Sequence, residues 1–172
     1  MTDKIQVYKG KVKHKGLLSF KDLYEFMYDY LIDENYDPYE DKYLDKRLRD
    51  SKEVEIDWRA EKPISDYFRF VINTNWLILG MKEVEVLKEG KKVTMDSGYL
   101  ELSLNAVLIK DPDNKWKGFW KFLRYLYDNY IIRKRIEKYE ELLIEEINEY
   151  IDFIKSLLAI EPRHALRRET MA

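Results

Sequence analysis

Residues 119–161 read FWKFLRYLYDNYIIRKRIEKYEELLIEEINEYIDFIKSLLAIE and contain neither proline nor glycine. Within them Ile132, Ile136, Tyr139, Leu143, Ile147, Tyr150, Ile154 and Leu157 recur at steps of four and three. That spacing lines up one face of an α-helix. The pattern predicts a single helix of about 40 residues, about 60 Å long at about 1.5 Å per residue. Such a rod outruns a small sheet, so part of it must overhang, bend or meet another partner. Glu161-Pro162 supplies a stop. Residues 162–172 read as a mobile tail behind a single α+β domain of residues 1–161.

Charge along this helix is segregated. Between Lys115 and Lys138 there are eight bases (115, 117, 121, 124, 133, 134, 135 and 138) against two acids, Asp128 and Glu137. From Tyr139 to Ile154 there are six acids and no base. A helix dipole favours acids at the N-terminus and bases at the C-terminus, so this order does nothing for helix stability and needs another cause. Three are available. The basic half would pair with the acidic stretch Asp29–Asp57, which carries eleven acids and five bases. Two copies of the helix would pack antiparallel across a two-fold axis and bury the four-three seam. Or the basic, aromatic end (Lys115, Trp116, Lys117, Trp120, Lys121, Arg124, Arg133, Lys134 and Arg135) would grip an anionic partner, RNA or a membrane surface. The lysines of the first strand would extend that surface if they lie beside it.

Upstream, Ile5–His14 alternates as a strand. Ser19 and Asp22 mark a helix start, and Leu23, Phe26, Met27, Tyr30 and Leu31 give a helix of about 14 residues. Residues 33–51, DENYDPYEDKYLDKRLRDS, read as a solvated connector with a short helix. Val54, Ile56, Trp58 and Ala60 alternate with charged residues, the mark of one dry and one wet sheet face. Tyr67–Leu79 reads as a central strand ended by Gly80. Glu83–Leu87 runs back from it, and EGKK (Glu89–Lys92) signals a hairpin. After Ser97-Gly98, Tyr99–Ile109 sets Leu100, Leu102, Leu104, Ala106 and Leu108 on one side and Glu101, Ser103 and Asn105 on the other. Short links between strands imply an antiparallel meander. The expected fold class is therefore α+β: a β-meander sheet of 5–6 strands packed on a long C-terminal α-helix, with one shorter helix after the first strand.

Composition narrows function more than it names it. The chain of 172 residues is 45% apolar and 37% charged, with a net charge of −2 and no cysteine. Near-neutrality argues against whole-molecule attraction to nucleic acid or membrane. Absence of cysteine excludes disulfides and thiolate ligands. No apolar run is long enough for a transmembrane segment and the N-terminus carries no secretion signal, so a cytoplasmic location is expected. One glutamine, few alanines and abundant Lys, Glu, Tyr and Ile resemble hyperthermophile compositions and point to a thermophilic, archaeal type of source. His14 and His164 are the only histidines, no HExxH, P-loop, GxGxxG or GxSxG pattern occurs, and the carboxylates fall on readable polar faces. Neither catalytic residues, nor a metal site, nor a cofactor is expected.

The order strand, helix, acidic connector, antiparallel strands, long C-terminal helix resembles the helix-grip folds, the START and polyketide-cyclase-like superfamily. The likeness spans most of the chain and rests on element order alone. The sheet is a strand short, one helix follows the first strand, and the glycine-rich loop of the plant members is missing. Helix-grip proteins hold an apolar ligand between sheet and helix. The resemblance implies that Trp58, Phe68, Phe70, Trp76, Leu102 and Leu104 line such a groove, although the same residues describe a filled core. Three functions from different classes follow. The first is a non-catalytic binding or assembly protein that engages a protein partner, or itself, through the long helix. The second is a carrier of an apolar small molecule. The third is an RNA- or ribosome-associated factor.

Overall fold

Alternation decides which side of the sheet is covered. The computed structural model describes residues 3–88, 90–113 and 120–166. In chain order it contains β1 (Asp3–Leu18), α1 (Phe20–Asp33), β2 (Asp37–Arg47), β3 (Lys52–Pro63), β4 (Phe68–Lys88), β5 (Lys91–Lys110) and α2 (Trp120–Leu126). A π-helical turn (Tyr127–Ile131) and α3 (Arg133–Leu166) follow. The strands form one antiparallel sheet in the order β1-β5-β4-β3-β2. The chain thus adopts the α+β meander expected of it, with the long helix last and the shorter helix after the first strand.

Val54, Ile56, Trp58 and Ala60 of β3 are buried, as are Ile72, Trp76 and Ile78 of β4 and Leu100, Leu102, Leu104 and Leu108 of β5. They form one cluster with Leu23, Met27 and Leu31 of α1 and Leu143, Ile147, Tyr150 and Ile154 of α3. Both helices therefore lie on the leucine face. Rings join them: Tyr30 of α1 stacks on Tyr150 and Phe153 of α3, with centroids 5.2 and 4.7 Å apart. The opposite face of the sheet carries the polar set, including Glu101 and Ser103. There Lys11 bonds Glu101 at 2.6 Å and Asn75 bonds Asp57 at 2.7 Å.

Local chemistry sets the ends of α1. Ser19 accepts from the Asp22 N–H, and the Asp96 carboxylate accepts from the Phe20 N–H. At the other end Asn35 has φ of 62°, its N–H bonds the Ile32 carbonyl, and the Tyr36 N–H bonds the Leu31 carbonyl. That is a Schellman stop with asparagine in the left-handed position, closed by burial of Leu31 and Tyr36.

Three expectations need correcting. Past Asp33, the last residue of α1, residues 34–51 hold no helix; most of them form β2, which pairs with β3 from Asp37 to Arg47. Its sequence hides this because it is an edge strand, largely exposed, where charges and Pro38 are tolerated. Gly80 and Gly98 do not end strands. Gly80, at φ 62°, sits in a bulge between Leu79 and Lys82, and Gly98 pairs with Gly16 on the neighbouring strand. A Cβ on Gly98 would lie 3.1 Å from the Leu79 carbonyl oxygen. Glycine here lets β4 and β5 bend and continue as a ribbon to the Lys88–Lys91 turn. Finally, the 119–161 rod is broken. α2 and the π turn end at Ile132, whose φ of −110° and ψ of 6° leave the helical region. At its far end, α3 continues past Pro162 to Leu166 instead of stopping there.

Candidate partner-binding surface

The break in the long helix lies beside a buried polar contact. Asp128 is buried, and its carboxylate accepts from the Tyr67 hydroxyl at 2.6 Å and from the Lys110 ammonium at 3.0 Å. Four residues on, Ile132 is buried in the core. Asp128 and Ile132, four residues apart, share the inward face, and the π turn lies between them. The Ile132 N–H reaches back to the Tyr127 carbonyl at 3.0 Å, and the Asn129 amide satisfies the Tyr125 carbonyl at 2.8 Å. Tyr130 and Ile131 are 80% and 71% exposed, and Phe122 and Tyr125 on the preceding turns are 61% and 64% exposed.

Directly after this apolar collar, the first turn of α3 presents Arg133, Lys134 and Arg135, all exposed. Arg133 pairs with Glu137 of its own helix at 3.3 Å. Trp120, Lys121 and Arg124 belong to α2. Lys115, Trp116 and Lys117 lie outside the described residues. Of the nine expected residues the structure thus sets Arg133, Lys134 and Arg135 together on the surface, beside four further exposed side chains: Phe122, Tyr125, Tyr130 and Ile131. Sequence periodicity missed them. The signal was present, because stepping the repeat back four residues from Ile132 lands on Asp128, an acid where the seam requires a hydrophobe.

The acidic stretch does not cover this surface among the described residues. Several of its carboxylates are engaged by neighbouring side chains instead. Glu55 is bridged by Lys42 at 2.6 Å and Lys46 at 3.8 Å, Glu40 accepts from Tyr24, and Asp57 from Asn75. The Lys42 hydrogen bond holds the Glu55 carboxyl below the usual range. The β1 lysines do not extend the surface either. Lys9, Lys11, Lys13 and Lys15 pair with Asn105, Ser103, Glu101 and Tyr99 on the face away from the helices. The four-three seam of α3 is spent on the sheet, so no dimer can bury it.

The six groove residues are all core. Phe68 and Phe70 meet the Tyr139 ring at 4.9 and 6.3 Å, and Trp58 and Trp76 meet each other at 5.0 Å beneath Tyr24. Leu102 and Leu104 are buried in the same cluster. Two open surface hollows have other linings. One of about 530 Å³ lies between Arg47–Lys52 and Met81–Glu83, and one of about 260 Å³ between Phe20, Tyr24 and Tyr43. Among the described residues no three His, Cys, Asp or Glu side chains are placed to hold a metal ion. No described helix is long and apolar enough to cross a membrane.

Fold and surface together define a sheet covered by helices on one side, with an apolar, cation-edged collar at the head of its long helix. No family model, curated protein or solved structure matches this chain.

Proposed function

We propose that this is a non-catalytic binding protein that engages a protein partner through the collar of residues 122–135. The observation that carries the reading is the exposure of Phe122, Tyr125, Tyr130 and Ile131 in ten consecutive residues next to three cations. Clustered apolar side chains rimmed by charge mark contact surfaces, whereas scattered ones do not. Aromatic residues and arginine are also the types that dominate interface energetics. The ligand-carrier reading gains no support from groove residues packed ring against ring. The RNA reading accounts for the cations and aromatics but not for Ile131, which offers a base nothing to stack on.

A photo-crosslinking residue at position 130, in the chain's native cells, tests the reading. The expected result is one discrete adduct from position 130 and none from position 39, an exposed tyrosine on the far edge strand. Reversing Arg133, Lys134 and Arg135 to glutamate is expected to reduce that adduct about tenfold, a loss of about 1.4 kcal/mol. Equal labelling at positions 130 and 39 refutes it.

A further inference from the structure

Resting on that reading, we infer that the partner is a second copy of this chain. The two α3 helices dock outer face to outer face, antiparallel across a two-fold axis. Opposite the core seam, Lys134, Lys138, Glu141, Glu145, Asn148 and Asp152 follow one another at steps of four and three, and all six are exposed. The stripe begins with cations and continues with acids, against the helix dipole. Among the described residues no ion pair engages Lys134, Lys138, Glu145 or Glu149 within one copy, whereas Arg133 and Asp152 have neighbours at i+4 and i+3.

A stripe of this kind is complementary to itself when reversed. A register that sets Lys134 against Glu149 and Lys138 against Glu145 brings Leu142 beside the axis. Ile144 flanks it, and these two are the exposed large aliphatic side chains of α3 among its described side chains. The same register carries Tyr130 and Ile131 of each collar to the level of Asp152 on the other copy. An RNA or an anionic membrane would meet the cations but be repelled by Glu141, Glu145 and Glu149 on the same face. A second copy uses both signs, and the isologous contact closes at two.

Size sets the expected strength. The overlapping stretch from 131 to 152 is about 33 Å long and about 10 Å wide. The strip alone falls short of the roughly 800 Å² per partner of a standard interface, so the collars must contribute. The dimer is therefore weak, reversible and sensitive to salt.

Sedimentation velocity on the full chain, from low to high micromolar concentration, tests this. The expected result is a shift from monomer to dimer with concentration, reversed at about 1 M salt, where screening acts within about 3 Å. Lys134→Glu/Lys138→Glu and Glu145→Lys/Glu149→Lys are each expected to stay monomeric with unchanged circular dichroism. Mixed in equal amounts they are expected to form a heterodimer. A wild-type chain that stays monomeric, or a mixture that fails to associate, overturns the inference. If the wild type is monomeric while position 130 still crosslinks to another protein, only the second-copy inference falls. If neither occurs, both fall. A monomer that instead binds homopolymeric RNA or anionic vesicles also overturns it.

Discussion

Thr74 tests how completely the core is satisfied. It faces Trp58 across β3 and β4, it is buried, and its hydroxyl has no hydrogen-bond partner of ordinary geometry. The nearby Tyr150 phenol, itself buried, directs a long 3.5 Å bond to the Met27 carbonyl instead. The indole N–H groups of Trp58 and Trp76 are also unpaired, so this patch of the inner face carries three unsatisfied polar atoms. An orphaned buried group costs about 1–3 kcal/mol, and removing it with an isostere is close to neutral or stabilising. Thr74→Val is expected to leave the denaturant midpoint unchanged or raise stability by about 1 kcal/mol. A loss of that size or more would mean that the hydroxyl bonds to Tyr150 after all.

At the level of elements, the π turn is held by one polar contact. Lys110 and Asp128 are both largely buried, with Tyr67 completing the set and Asp3 3.7 Å from the ammonium. Removing one member of a buried pair strands the other charge. Asp128→Asn is expected to cost about 2–3 kcal/mol in chemical denaturation, at the low end because Asp3 remains. Hydrogen exchange is expected to rise first in residues 127–132, since the Asp128 carboxylate ties that turn to Tyr67 and Lys110. An exchange pattern unchanged there would show that Ile132 alone fixes the break. The other end of the helix pair has a comparable tie, Glu146 accepting from Tyr36 at 2.6 Å and Lys62 at 2.8 Å. α3 is thus pinned to the sheet by polar bonds at two levels, with the aromatic stack on Tyr30 further along.

For the whole molecule, pH dependence follows from its phenols. Burial, then the hydrogen bond to Glu40, raises Tyr24 to about 12. Burial raises Tyr150, and burial with the bond to Glu146 raises Tyr36, in the same direction. A folded-state value above the unfolded one means that the native state holds the proton longer. This stability is complete below the ordinary phenol value of about 10 and declines as pH climbs from there towards 12. Of the 14 tyrosines, the exposed ones are expected to ionise before the fold yields. Tyr24, Tyr36 and Tyr150 are expected to ionise with it, so phenolate absorbance rises in two stages, the second coincident with loss of circular dichroism. A single stage with structure intact contradicts this.

By itself, the order of residues determined whatever depends on neighbours in sequence. The alternation of Val54–Ala60 and Leu100–Leu108, the Ser19 start and Asn35 stop of α1, and the seam from Ile132 to Leu157 are local signals that burial then obeyed. Tertiary structure decided what depends on distant partners. β2 is a strand because β3 supplies its hydrogen bonds, although its own residues look like a solvated link. Gly80 and Gly98 bend strands because three of them curve together, a requirement invisible along any one. The helix breaks beside Asp128, which Lys110 of β5 and Tyr67 of the β3–β4 link hold against the sheet. That contact joins segments distant in sequence, so neither it nor the exposed Tyr130 and Ile131 beside it could be read along the helix alone.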